Sequence, residues 1–161
     1  MLRPVLALLA LIAVLTLAAR SGRLERARQS GFEATATGAA TATLGGSAVA
    51  APRSIELEGR TPDGTLLVQW SFADRPGIGS YAAGDSAGAV TLHALFLAGP
   101  DSTPDGVFRG RRGTLHIRHV SPQVITGTFE LLALGTVSAS PRHDTLGVRI
   151  AGSFIATTVS P

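Results

Sequence analysis

Thr65-Leu66-Leu67-Val68-Gln69-Trp70-Ser71-Phe72 places Leu66, Val68, Trp70 and Phe72 at every second position, and the residues between them are polar except Leu67. Successive side chains of an extended chain point to opposite faces, so this spacing gives a strand with one apolar face and one wet face. The same period runs through Ser54 to Glu58 (Ile55, Leu57), Thr114 to Arg118 (Leu115, Ile117), Val124 to Leu131 (Ile125, Phe129, Leu131) and Thr145 to Ile150 (Leu146, Val148, Ile150). Phe32 to Thr37, Ala89 to Leu97 and Ser153 to Val159 are further strand candidates; the last two are apolar on both faces, as central strands are. Thr61-Pro62-Asp63-Gly64 reads as a tight hairpin turn, and Pro104-Asp105-Gly106 and Ser121-Pro122-Gln123 punctuate the later runs. The Ala/Thr/Gly-rich stretch Ala34 to Ala51 reads as an edge strand, a loop and a second short strand.

About eight short strands without sustained helical periodicity predict an all-β fold. The expected architecture is an antiparallel β-sandwich, with a closed β-barrel as the alternative. Phe32, Leu66, Val68, Trp70, Phe96, Leu115, Ile117, Phe129 and Phe154 are the expected core anchors. A length of 161 residues with 45% apolar and 16% charged residues suits one folded domain. The 19 Gly and 9 Pro suit a chain that turns often. The absence of Cys removes disulfides, thiol nucleophiles and Cys-ligated metals together. All 14 basic residues are Arg.

Val5 to Ala19 is an apolar run preceded by Arg3 and ending in Ala18-Ala19. It is shorter than the roughly 20 residues a membrane-spanning helix needs, so residues 1–19 read as a signal peptide or N-terminal membrane-anchor helix. Arg20, Arg23, Arg26 and Arg28 follow the run and resist translocation, which keeps an uncleaved anchor open. Residues 20–30 read as a linker and 31–161 as the folded body, expected to be exported: periplasmic, extracellular or membrane-anchored outside the cytoplasm.

Gly84-Asp85-Ser86-Ala87-Gly88 matches the glycine-flanked turn that exposes a nucleophilic serine in hydrolases. That turn needs a strand before it and a helix after it, and Val90 to Phe96 alternates as a strand instead. A solvated Ser86 in a Gly-rich turn is the preferred reading; a small serine hydrolase using Ser86 is the alternative. His116 and His119 stand three apart, which on a regular strand sends them to opposite faces, so no metal site is expected from them. Asp101 and Asp105 share a loop with Pro104 and lack a third acid, which makes a poor calcium loop. No cofactor is expected.

Arg109, Arg111, Arg112, His116 and Arg118 lie in a stretch from Val107 to Thr128 that holds no Asp or Glu. Guanidinium forks suit carboxylates and phosphates, so this cluster is the candidate binding site, for an anionic glycan or lipid head groups. A rim of charges that discourages strand addition explains the same residues without a ligand. A net charge of only +3 and 5% aromatic residues count against nucleic acid, and a membrane is expected to be met only through the N-terminal segment.

Phe32-Glu33-Ala34, Gly77-Ile78-Gly79-Ser80-Tyr81, Gly113-Thr114-Leu115-His116-Ile117, Val124-Ile125-Thr126-Gly127-Thr128-Phe129-Glu130 and Gly152-Ser153-Phe154 together resemble small exported bacterial β-sandwich domains of unknown function, many of them lipoproteins. The resemblance implies an antiparallel sandwich without an assigned activity. This chain departs from that group in having no Cys for lipid attachment. The functional expectation is an exported, non-enzymatic binding or structural module of the cell envelope; a barrel holding a small apolar ligand is a further alternative.

Overall fold

Alternation of apolar and polar residues becomes nine strands in the computed structural model, which describes residues 30–84, 89–100, 102–138 and 145–159. They are β1 (Gly31–Gly38), β2 (Ala42–Ala51), β3 (Ser54–Thr61), β4 (Gly64–Phe72), β5 (Gly79–Ala83), β6 (Val90–Ala98), β7 (Gly106–Val120), β8 (Val124–Val137) and β9 (Leu146–Thr158). The segment expected to be a signal or anchor helix lies outside the described residues, as does Ser86.

Hydrogen bonding runs β7-β6-β4-β3-β2-β1-β9-β8 and returns from β8 to β7, so eight strands close into a barrel. The ladders are antiparallel apart from a short parallel contact where Val49 and Ala50 of β2 meet Thr157 and Thr158 of β9. The closed alternative is therefore the fold, in place of an open sandwich. The physical reason is the length of the last three strands. β7 pairs with β8 from Gly106↔Val137 to Val120↔Ile125, and β8 pairs with β9 from Val124↔Thr157 to Gly135↔Leu146, leaving no free edge where a sandwich would have one. The stretch expected to hold an edge strand is internal as well, because β1 lies between β2 and β9.

The expected core anchors are all buried, and Leu44, Phe108, Ile125, Leu131, Val148 and Ile150 join them inside. Trp70, Phe96 and Phe108 are the largest of the fully buried side chains. Phe96 and Phe108 stack at 5.8 Å, and Phe32 meets Phe129 edge-on at 6.3 Å. Room for these rings comes from glycine. A Cβ on Gly113 would lie 2.8 Å from the Trp70 ring, one on Gly59 2.8 Å from the Phe32 ring, and one on Gly127 2.9 Å from Phe154. Small barrels fill their taper by setting small residues against large ones, so much of the glycine taken from composition as turn-forming belongs inside strands. The two segments taken as separate strands at Thr145 and Ser153 are one, β9.

β5 stands apart from the eight. It pairs with Gly113–Ile117 of β7 on the edge that β6 uses at Gly106–Arg109, so the wall forks beside Gly110–Arg112. Tyr81 fastens β5 in place. Its ring meets Phe72 edge-on at 5.2 Å, and its hydroxyl donates to the Gly77 carbonyl and accepts from the Gly77 N–H, each at 2.9 Å.

Candidate arginine face on strand seven

Two β-bulges shape the outer face of β7. The β7–β8 register slips between Gly110 and Arg112 and again between Ile117 and His119, leaving Arg111 and Arg118 as the extra residues. A bulge adds one residue against the partner strand and so resets which face the following side chains take. Arg109, Arg111, Arg112, His116, Arg118 and His119 are all exposed in consequence, while Phe108, Leu115 and Ile117 point inward and are buried.

The bulge also corrects one expectation. His116 opposes Thr128 and His119 opposes Thr126, two positions apart on β8, so the two imidazoles share the outer face rather than taking opposite ones. Even so, no group of three or more metal-binding side chains occurs among the described residues. His116 has another partner: its Nδ1 lies 2.7 Å from Oγ of Ser80, directly opposite on β5.

The five candidate residues do not form one cluster. Arg109 to Arg118 spans seven to eight paired steps along β8, roughly 25 Å at about 3.3 Å per strand residue. Arg109 lies in the row Glu58–Leu67–Leu95–Arg109–Leu134, which crosses β3, β4, β6, β7 and β8. It borders an open groove of about 600 Å³ that Glu56, Glu58, Gln69 and His93 also line. Arg112 opposes Leu132, which opposes Arg149 of β9, and both arginines line a second open groove of about 670 Å³ with Glu130. Arg111 sits at the fork between them. His116 lies lower, against Ser80, and Arg118 is at the last turn of the strand.

Charge pairing separates these groups further. Arg149 bonds Glu130 at 2.7 Å across β8 and β9; that hydrogen bond holds the Glu130 carboxyl below the usual carboxylate range, with the charges of Arg149 and His116 adding to it. The same bond raises Arg149. Among the described residues no ion pair engages Arg109, Arg111, Arg112 or Arg118. Three exposed arginines within four residues thus stand on the outer wall, beside and between two open grooves.

Reading the chain alone missed Ser80 and Arg149, and gave Glu130 no partner. Ser80 and His116 are far apart in sequence and meet only through the β5–β7 register, and Arg149 reaches Glu130 only because β9 pairs with β8. Period-two alternation marks Glu130 and Arg149 as outward, which is as far as that signal goes. Ser86 and Asp101, which figured in the catalytic and calcium readings, lie outside the described residues. No protein-family model, curated protein or solved structure matches this chain.

Proposed function

We propose that this chain is an exported, non-enzymatic binding module of the cell envelope, and that Arg109, Arg111 and Arg112 hold an anionic polymer such as an acidic glycan. The observation that carries the reading is the set of three exposed arginines without an ion-pair partner among the described residues, held by a bulge on the outer wall of a closed barrel. Like charges crowded on one face repel each other, and a polyanion relieves that repulsion while its carboxylates or sulfates take the guanidinium forks. Leu132 beside Arg112, and Leu95 and Leu134 beside Arg109, supply flat half-buried ground for the carbon skeleton of a sugar.

Binding is a better account than catalysis because this face is open and wet, whereas catalysis draws on groups converging in a site that excludes water. A small apolar ligand inside the barrel is the weaker alternative, since the rings of Trp70, Phe96, Phe108 and Phe154 and their facing glycines already interdigitate there.

Retention of the full chain on immobilised heparin across a salt series tests the reading. Retention should fall as salt rises, because exposed charges are screened. Replacing Arg109, Arg111 and Arg112 with Gln should weaken binding about tenfold, at roughly 0.5 kcal/mol for each exposed pair. Salt-insensitive retention, or retention unchanged in the triple variant, overturns it.

A further inference from the structure

The two ends of the barrel differ. Strand directions put the start of β1, the β2–β3, β4–β5 and β7–β8 turns and the end of β9 at one end. Of the five exposed large hydrophobic side chains among the described residues, three lie there: Ile78 at 70% exposure, Val159 at 46% and Ile155 at 41%. Ile78 precedes Gly79, which opposes Ile117 at the foot of β7. Ile155 shares an outer row with His119, Thr126 and Gly31, and the Val159 N–H donates to the Ala50 carbonyl. The three side chains therefore mark an arc of rim from β5 through β8 and β9 to β2.

Charge on this rim leans to the positive. Arg53 in the β2–β3 turn, Arg75 in the β4–β5 turn and Arg118 at the foot of β7 are exposed, against Asp74 and Glu56, the latter level with Thr157 through Val49. The far end carries Asp63 and Asp105 in its turns, beside Arg60 at the top of β3. The residues ahead of the described body, which include the apolar run Val5 to Ala19 and four arginines after it, join the barrel at Ser30–Gly31, on the aliphatic and basic end.

We propose that this end of the barrel rests on an anionic lipid bilayer, with Ile78, Ile155 and Val159 dipping into the head-group region and Arg53, Arg75 and Arg118 meeting lipid phosphates. Aliphatic side chains beside arginines are a composition that binds the interface of a charged membrane. Isolated exposed aliphatics are ordinary; three on one rim, beside three arginines and the point where an apolar segment joins, are not explained by folding. The proposal is independent of the polyanion reading, whose arginines lie toward the other end of β7.

The chain has no Cys, so a single introduced thiol carries an environment-sensitive fluorophore at one known place. The full chain bearing Ile78→Cys, and separately Thr103→Cys at the far end, is mixed with phosphatidylglycerol-containing vesicles and with pure phosphatidylcholine vesicles. On the anionic vesicles the label at position 78 should brighten and shift to the blue, and the label at 103 should not change. Replacing Arg53, Arg75 and Arg118 with Gln should weaken the titration on the order of a hundredfold, about fivefold for each arginine near an anionic surface. The proposal is overturned if position 78 stays water-exposed, if both positions respond alike, if neutral vesicles give the same response, or if the triple variant titrates like the parent. Membrane attachment through the N-terminal run alone would appear as vesicle-bound protein with both labels unchanged, which also overturns it.

Discussion

At the scale of single residues, the barrel depends on pairs of one large and one absent side chain. Gly113 faces Trp70 so closely that a Cβ would also lie 2.7 Å from Leu131. Gly113→Val should therefore cost about 1–3 kcal/mol by overpacking, and Trp70→Ala about 3–5 kcal/mol by leaving a cavity. Combined, the valine enters the space the indole leaves, so the double variant should lose less than the sum by more than about 0.5 kcal/mol. Urea midpoints followed by circular dichroism measure all three; strict additivity would show that the two positions do not meet. Trp70 is legible as a core residue from alternation, whereas Gly113 is not, because an inward glycine and a turn glycine look the same in one dimension. Outside the barrel, Glu130 shows what pairing does to a surface carboxyl. Its folded-state value is depressed by Arg149, so the pair's contribution is present above the unfolded carboxyl's titration and is lost as pH falls through the folded one. Carboxyl-detected NMR titration should place Glu130 below ordinary glutamates, and Arg149→Gln should return it toward them.

Among the elements, β5 and β7 depart most from what the pattern of residues predicts. β7 reads as a short strand from Thr114 to Arg118 because alternation fails at Arg111; the structure continues it from Gly106 to Val120 across two bulges. A bulge breaks the two-residue period without ending the strand, so periodicity underestimates strand length where a barrel wall bends most. That bend places three exposed arginines side by side and turns His119 to the face of His116. β5 is too short for alternation to reveal, and the hydroxyl of Tyr81 does much to define it. Tyr81→Phe keeps the ring against Phe72 and removes both contacts to Gly77, at a cost of about 0.5–1.5 kcal/mol. Hydrogen exchange at the Gly77 amide should accelerate in that variant while exchange in β8 and β9 is little changed. Equal acceleration everywhere would mean that Tyr81 stabilises the whole barrel rather than the β4–β5 turn.

For the molecule as a whole, closure assigns each face its possible work. The interior holds the barrel together, the outer wall carries Arg109, Arg111 and Arg112, and the two ends differ in charge and apolar exposure. Residue order alone makes the chain all-β and shows which residues of most strands point inward, where several turns fall, and which chemistries that need Cys are absent. These are local properties, set by the alternation of an extended backbone and by the few residues that tolerate tight turns. Closure of the ladder into a barrel, the meeting of Ser80 with His116 and of Glu130 with Arg149, and the rim shared by Ile78, Ile155 and Val159 emerge in three dimensions alone. Each of those depends on register between strands distant in the chain. An inward-facing pattern is the same for a sandwich and a barrel, and the choice between them lies in which strand pairs with the last one.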